Sequence, residues 1–172
     1  MNVLAVQKIA NRYRNWAKTD LTAYRLFCKE LNVLYERFVI GKISVELTSE
    51  DFALNYRAGR YSTLYIQRDQ SLSTFNPLSE KTAYSSGHEY LTYNHLARAL
   101  HDILGHLPER FPLTFEGEVM AHMAERTYFS PVVQPVLFAD NIGQLCLKFH
   151  TGEHPAIQHP YVMEPSPLGD LL

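Results

Sequence analysis

The sequence predicts a mainly α fold: a compact single helical domain with a small β or irregular insertion and an extended C-terminal tail. Three observations predict it. Apolar residues recur at helical spacing in four separate runs, between residues 3 and 17, 21 and 38, 89 and 104, and 114 and 128. Capping residues and helix breakers stand at the ends of several runs. The longest stretch without that period lies between residues 43 and 87. Residues 1–150 are therefore read as one domain and residues 151–172 as a proline-rich tail.

In the first run Val3, Val6, Ile9, Ala10, Tyr13, Trp16 and Ala17 form one stripe. The second carries Leu21, Tyr24, Phe27, Cys28, Leu31, Leu34, Tyr35 and Phe38, with Thr19 or Asp20 as cap and Gly41 as stop. The pair could form an αα-hairpin. In the irregular region, ISVEL alternates like a strand and RYSTLYIQ could be another, giving at most a small sheet or hairpin. SLSTFNPLSEKTAYSSG reads as a connecting loop that could overhang a site. Helical spacing returns from Glu89 to Leu104. A helix over 114–128 takes Thr114 as cap, with Glu116 and Glu118 suited to its first turns. SPVVQPVLFADNIGQLCLKF opens with Ser130 as cap and Pro131 at the first helical position, and Pro135 could bend it. The tail after Phe149 holds four prolines and reads as extended.

Bulk properties narrow the function. A chain of 172 residues, 46% hydrophobic, can bury a full core. Its formal charge of −2, with acids and bases intermixed, gives no electrostatic case for nucleic acid or an anionic membrane. Cys28 and Cys146 lie far apart and form no CxxC, which fits a reducing cytoplasm. No signal-peptide pattern is visible at the start, and no apolar run approaches the roughly 18 residues of a membrane span. A small-molecule substrate is the expected partner, and a homo-oligomer stays open.

The chemistry concentrates in ALHDILGH, residues 99–106. On a continuous α-helix, residues five apart point about 140° away from each other. His101 and His106 can then converge only if the helix stops between them. Gly105 is the expected stop, and Pro108 prevents continuation. Both imidazoles could face one ion. Alternatively, each histidine serves only the helix end, where a cation is ordinary. Two histidines with one carboxylate and open positions favour non-haem Fe(II); zinc or another divalent ion is the alternative. Candidate carboxylates are Asp102, Glu116, Glu118, Glu125 and Asp140. Asp102, next to His101, is better placed to orient an imidazole N–H than to bind metal. Glu118 and His122 share a helical face at i and i+4 and could supply ligands or a hydrogen-bonded pair behind the site. Tyr90, Tyr93, Phe111 and Phe115 could wall a dry pocket.

HDILGHLP, His101 to Pro108, resembles the HELLGHVP segment of the aromatic amino acid hydroxylases, in which both histidines bind catalytic iron. FADNIGQLC, Phe138 to Cys146, resembles that family's FTVEFGLC stretch, whose glutamate is the third ligand. Aligning the glycines places that glutamate on Asn141, with Asp140 one position earlier. The anionic oxygen favours Asp140. The resemblance thus implies His101, His106 and Asp140 as metal ligands. In a mechanism built on them Asp102 would orient an imidazole, and Glu118 and His122 would shuttle protons in catalysis or, in a dinuclear variant, hold a second ion. The resemblance covers under a third of the chain and carries over neither an aromatic amino acid substrate nor pterin. A wider pattern is similar to a group of uncharacterised bacterial and phage proteins. It runs through HDILGH, FEGE, His122, YFSP and DNIGQ, and supports Glu118, His122 and Gln144 as site residues. LHDILGH also resembles the HD-domain phosphohydrolases, in which a His-Asp pair binds metal.

The expectation is a mononuclear non-haem iron oxygenase or hydroxylase acting on a small organic molecule. A metal-dependent phosphohydrolase and a non-catalytic interaction domain with structural histidines are the alternatives. A ferritin-like di-iron bundle would need ExxH pairs, which the sequence lacks.

Overall fold

The computed structural model describes residues 1–49, 63–68, 75–155 and 157–172. The chain is mainly helical, with three small two-stranded pairs among the described residues. Helix α1 (Val3–Trp16) is capped by Asn2, whose side chain accepts from the Ala5 amide at 3.3 Å. The short strand β1 (Lys18–Thr19) leads to α2 (Leu21–Phe38), where Asp20 accepts from the Ala23 amide at 2.9 Å. Gly41 takes φ +73° just past the end of α2, a conformation in which a side chain would be strained.

The expected αα-hairpin does not form. Helix α1 packs along the last long helix of the chain, and α2 packs against the helix that begins at Tyr93. Their apolar stripes serve two different cores. One core gathers Phe27, Leu31 and Tyr35 of α2 with Leu96 and Leu100. The other gathers Ile9 and Tyr13 of α1 with Phe115, Val119, Ile142 and Cys146.

Strands β2 (Ser44–Thr48) and β3 (Thr63–Gln67) fall where alternation suggested them. They pair in parallel, with Ser44 opposite Thr63, so they are not a hairpin. The expected loop before Gly87 is partly strand. β4 (Lys81–Ser86) and β5 (Glu89–Thr92) form an antiparallel hairpin whose two-residue turn is Gly87 and His88. Gly87 has φ +59°, which a tight hairpin turn requires at a central position. Residues 71–74 of the loop expected over 71–87 lie outside the described residues. Helix α3 (Tyr93–Leu100) starts later than periodicity suggested, with Thr92 as cap and His95 closing a capping box.

From His101 the chain does not stop. It widens into a π-helical segment, π1 (His101–His106), and returns to a short α4 (Leu107–Glu109). Gly105 is not in the left-handed region; the chain closes instead at Arg110, with φ 57°. Helix α5 (Phe115–Glu125) is capped by Thr114, which accepts from the Gly117 amide at 3.2 Å. Ser130 is no side-chain cap: its amide and hydroxyl donate to the Glu30 carboxylate at 2.9 and 2.5 Å. The next helix begins as α6 (Gln134–Leu137), widens into π2 (Phe138–Gly143) and ends as α7 (Gln144–Thr151). The tail is partly integrated. β6 (Tyr161–Val162) pairs with β1, and Met163, Leu168 and Leu171 are buried in the second core. Among the described residues no helix is long and apolar enough to cross a membrane.

Candidate metal centre

Three elements converge at the seam between the two cores: π1, π2 and the face of α5 that carries Glu118, His122 and Glu125. Those residues stand at i, i+4 and i+7, one stripe of an α-helix. The close approach of π1 to α5 depends on Gly105. A Cβ there would lie 2.9 Å from the Ala121 carbonyl oxygen and 3.1 Å from its Cβ. Gly105 thus permits packing and does not end the helix.

The π geometry answers the five-residue spacing. An i→i+5 ladder turns less per residue than an α-helix and brings residue i+5 round towards the direction of residue i. The Leu107 amide donates to the Asp102 carbonyl, five residues back. His101 and His106 therefore project together, with ring centroids 4.9 Å apart and planes at 80°.

Their ligand atoms meet Glu118. His101 Nε2 and His106 Nε2 are 3.2 Å apart. Glu118 Oε2 lies 3.2 Å from the first and 3.3 Å from the second. The other ring nitrogens are engaged behind. His106 Nδ1 donates to the Phe111 carbonyl at 3.0 Å, and His101 Nδ1 donates to Glu125 Oε2 at 2.8 Å. His106 and Glu125 are almost fully buried, whereas 18% of the His101 side chain and 28% of the Glu118 side chain face solvent. The trio therefore opens in one direction.

Without a cation, charge is balanced by protons. Burial of His101 opposes its charge, but Glu125 and Glu118 outweigh that and hold its pKa well above the usual histidine value. Burial also works against ionised Glu118, yet hydrogen bonds from both imidazoles pull its pKa down to about 2. A metal would take the place of the proton on His101 Nε2.

The trio fits one ion. Metal–nitrogen bonds of about 2.1 Å separate adjacent ligand atoms by about 3.0 Å at right angles and about 3.4 Å in a tetrahedron. All three observed separations fall between those values. Each histidine also gives its remaining N–H to an oxygen, the usual support behind a metal-bound imidazole. Two imidazoles and one carboxylate with an open side can bind a divalent cation and leave room for other ligands.

The other expected residues are placed differently. Asp140 lies outside the trio; its Oδ1 accepts from Gln144 Nε2 at 2.8 Å, while burial and the Glu125 charge raise its pKa to about 6. Asn141 faces the histidines: its Nδ2 donates to Glu125 Oε2 at 2.8 Å and lies 3.4 Å from Nδ1 of both His101 and His122. Asp102 is buried, which lifts its pKa to about 7, but Glu125 and the Phe111 carbonyl orient the imidazoles in its stead. His122 is buried edge-on to Phe138; burial, then the His101 charge, lower its pKa to about 3, so it is neutral. Glu116 is exposed and pairs with the N-terminus.

A cavity of about 650 Å³ opens onto the trio. Phe115 lines it as expected. Tyr90 is exposed, Tyr93 bonds to Asn32 Nδ2 at 3.0 Å, and Phe111 contributes its carbonyl to His106. Sequence reasoning counted Glu125 only among the candidate carboxylates and did not see it as the group behind His101, although its place on the Glu118–His122 stripe was a usable signal. It also missed Arg98 and Lys148 in the cavity wall. No family model, curated protein or solved structure matches the chain.

Proposed function

We propose that this chain is a mononuclear metal enzyme in which His101, His106 and Glu118 hold one divalent cation. Fe(II) is the favoured metal and hydroxylation or oxygenation of a small organic molecule the favoured reaction. The carrying observation is the meeting of two Nε2 atoms and one carboxylate oxygen at 3.2–3.3 Å, with both Nδ1 groups bonded behind them. The donor set matches the two-histidine, one-carboxylate type that suits non-haem Fe(II).

Iron bound there would supply oxygen activation at the open side of the trio. The protein's own part is positioning. Glu125 and the Phe111 carbonyl hold the imidazoles in register, and Asn141 holds Glu125. His122 stays neutral in a dry setting and packs against Phe138. Asp102 and Asp140 line the cavity and are suited to taking up or giving a proton near neutral pH. The reading takes residues 1–150 as one compact helical domain with the tail strapped to it. It places the chain in the cytoplasm, with a small-molecule substrate and no nucleic-acid or membrane partner.

The test is metal identity and stoichiometry by mass spectrometry on protein purified anaerobically without chelator. The expected result is about one iron per chain, lost in His101→Ala. Zinc together with phosphatase activity would instead establish a hydrolase. Substoichiometric metal unchanged by His106→Ala would leave the histidines a structural role.

A further inference from the structure

Helix α2 carries apolar residues on two opposite faces. Phe27, Leu31 and Leu34 point into the first core. Leu26, Val33 and Ile40 repeat every seven residues on the other side and are 38, 64 and 49% exposed. Ile40 stands just past the helix end, but its amide bonds back to the Tyr35 carbonyl at 3.2 Å, so the winding reaches it. A seven-residue repeat keeps the three in one line about 21 Å long.

Charges flank that line. At 3.6 residues per turn Lys29 and Glu36 fall on one flank, and Glu30 and Arg37 on the other, each about 40–60° from the line. The neighbours of α2 agree with this division. Glu36 Oε1 accepts from the Tyr84 hydroxyl at 2.9 Å on one side, whereas Glu30 holds the Ser130 amide and hydroxyl on the other. Lys29 is exposed and makes no ion pair among the described residues. Val132, two residues beyond Ser130, and Tyr128, edge-on to Phe38, are exposed and widen the apolar surface beside Glu30.

Two copies of this face complement each other in one register. Antiparallel helices related by a two-fold axis bring like flanks together. With Val33 on the axis, Leu26 meets Ile40 of the second copy. The same register sets Lys29 beside the second copy's Glu36 on one flank, and Glu30 beside its Arg37 on the other. Alternating signs on both flanks suit a surface with the same alternation, which a second copy has and a uniformly charged lipid or nucleic acid lacks.

We propose that this face of α2 is the contact of an antiparallel homodimer with Val33 on its two-fold axis. The contact is small, so the dimer is of micromolar strength. It is independent of the metal centre, and the variants below should keep the metal content of wild type.

The test is sedimentation equilibrium on the whole chain. Wild type is expected to dimerise, and Val33→Asp, an exposed change, should raise the dimer Kd at least about 10-fold with an unchanged circular dichroism spectrum. Lys29→Glu, which sets two carboxylates together, should weaken the dimer in the same direction. Cross-linking by a short bis-maleimide fixes the direction of pairing, because the native Cys28 and Cys146 are buried. Val33→Cys should cross-link to its own copy, whereas Leu26→Cys should not, since the two Leu26 positions lie about 21 Å apart across the axis. A chain that stays monomeric up to about 0.5 mM would overturn the proposal. So would a dimer indifferent to Val33→Asp or Lys29→Glu, or one in which Leu26→Cys cross-links as readily as Val33→Cys.

Discussion

The wide turns π1 (His101–His106) and π2 (Phe138–Gly143) each insert six π-helical residues into a longer helix. In both, an amide bonds five residues back, Leu107 to Asp102 and Gln144 to Ala139. In both, a glycine receives a neighbour: Gly105 meets Ala121, and a Cβ on Gly143 would lie 2.4 Å from Tyr13 Cδ2. The difference lies in which residues occupy the first and last positions, the pair that this geometry brings together. In π1 they are His101 and His106, so two imidazoles point into the cavity. In π2 they are Phe138 and Gly143, so the aligned face is buried in the second core. That turns Asp140 and Asn141 towards the site as supporting groups. One backbone device yields a converging imidazole pair in one place and a hydrogen-bonding layer in the other.

The sharpest way to break this comparison is to remove a ligand from π1. His106→Ala should abolish stoichiometric metal binding, measured by mass spectrometry after dialysis against the metal and then buffer. Retention of one equivalent would mean that π1 does not supply the ligands. His106 is fully buried, so the variant is compared at a temperature at which circular dichroism shows it folded.

Glu125 comes next, because it bridges the two turns by accepting from His101 and from Asn141. Glu125→Gln keeps the shape but removes the charge that orients His101. Metal affinity should fall about 10–100-fold, the usual cost of losing such a partner. Competition with a coloured chelator measures it. An unchanged affinity would show that π2 and its hydrogen-bonding layer do not act on the ligands of π1.

Most of the helical fold was legible, because it rests on period and caps: Asp20 and Thr114 cap where expected. The two histidines were legible as a pair, since imidazoles are scarce and their spacing demanded an explanation. The explanation itself was not legible. A π turn and a broken helix both satisfy the i, i+5 spacing, and glycine suits either, as a left-handed residue or as a gap for a neighbour. Only the position of Ala121, which is a tertiary fact, decides for the gap. For a related reason the carboxylate expected beside the histidines was Asp140, whereas Glu118 is the one that meets them. Sequence distance along π2 says nothing about which side chain the wide turn aims inward, and the resemblance between FADNIGQLC and an iron-binding stretch drew attention from Glu118 on α5. Asn141, the residue that the aligned glycines had marked, is the one that reaches the histidines.

The glycines give a smaller and more symmetrical effect. Gly105→Ala and Gly143→Ala should each cost about 1–3 kcal/mol in chemical denaturation, because both force a methyl group into an occupied space. They should part company in metal affinity. Gly105 adjoins His106 and packs on the backbone of α5, so pushing π1 away should also weaken the ion. Gly143 faces Tyr13 on the far side of π2, and its variant should keep wild-type affinity at equal folded fraction. Equal losses of affinity would mean that both turns move as one body.

The smallest effect tests the comparison most directly, because it asks whether π2 carries a ligand at all. Asp140→Asn should leave metal stoichiometry unchanged, since Asp140 bonds to Gln144 and an amide oxygen can accept that bond. Its stability effect should have a definite sign. Burial raises the Asp140 pKa from 3.8 to about 6, so the folded protein binds a proton there more readily than the unfolded chain does. Folding is therefore favoured below pH 3.8, and that contribution is lost as pH rises through about 6, where the buried charge forms. Asparagine carries no such charge. For this half-buried group, metal-free Asp140→Asn should be about 1 kcal/mol more stable relative to wild type at pH 8 than at pH 4. Denaturation of both proteins at the two pH values measures it. A variant that loses its metal would make π2 a ligand-bearing turn like π1 and erase the distinction between them, whereas a relative stability that falls as pH rises would mean that burial does not govern Asp140.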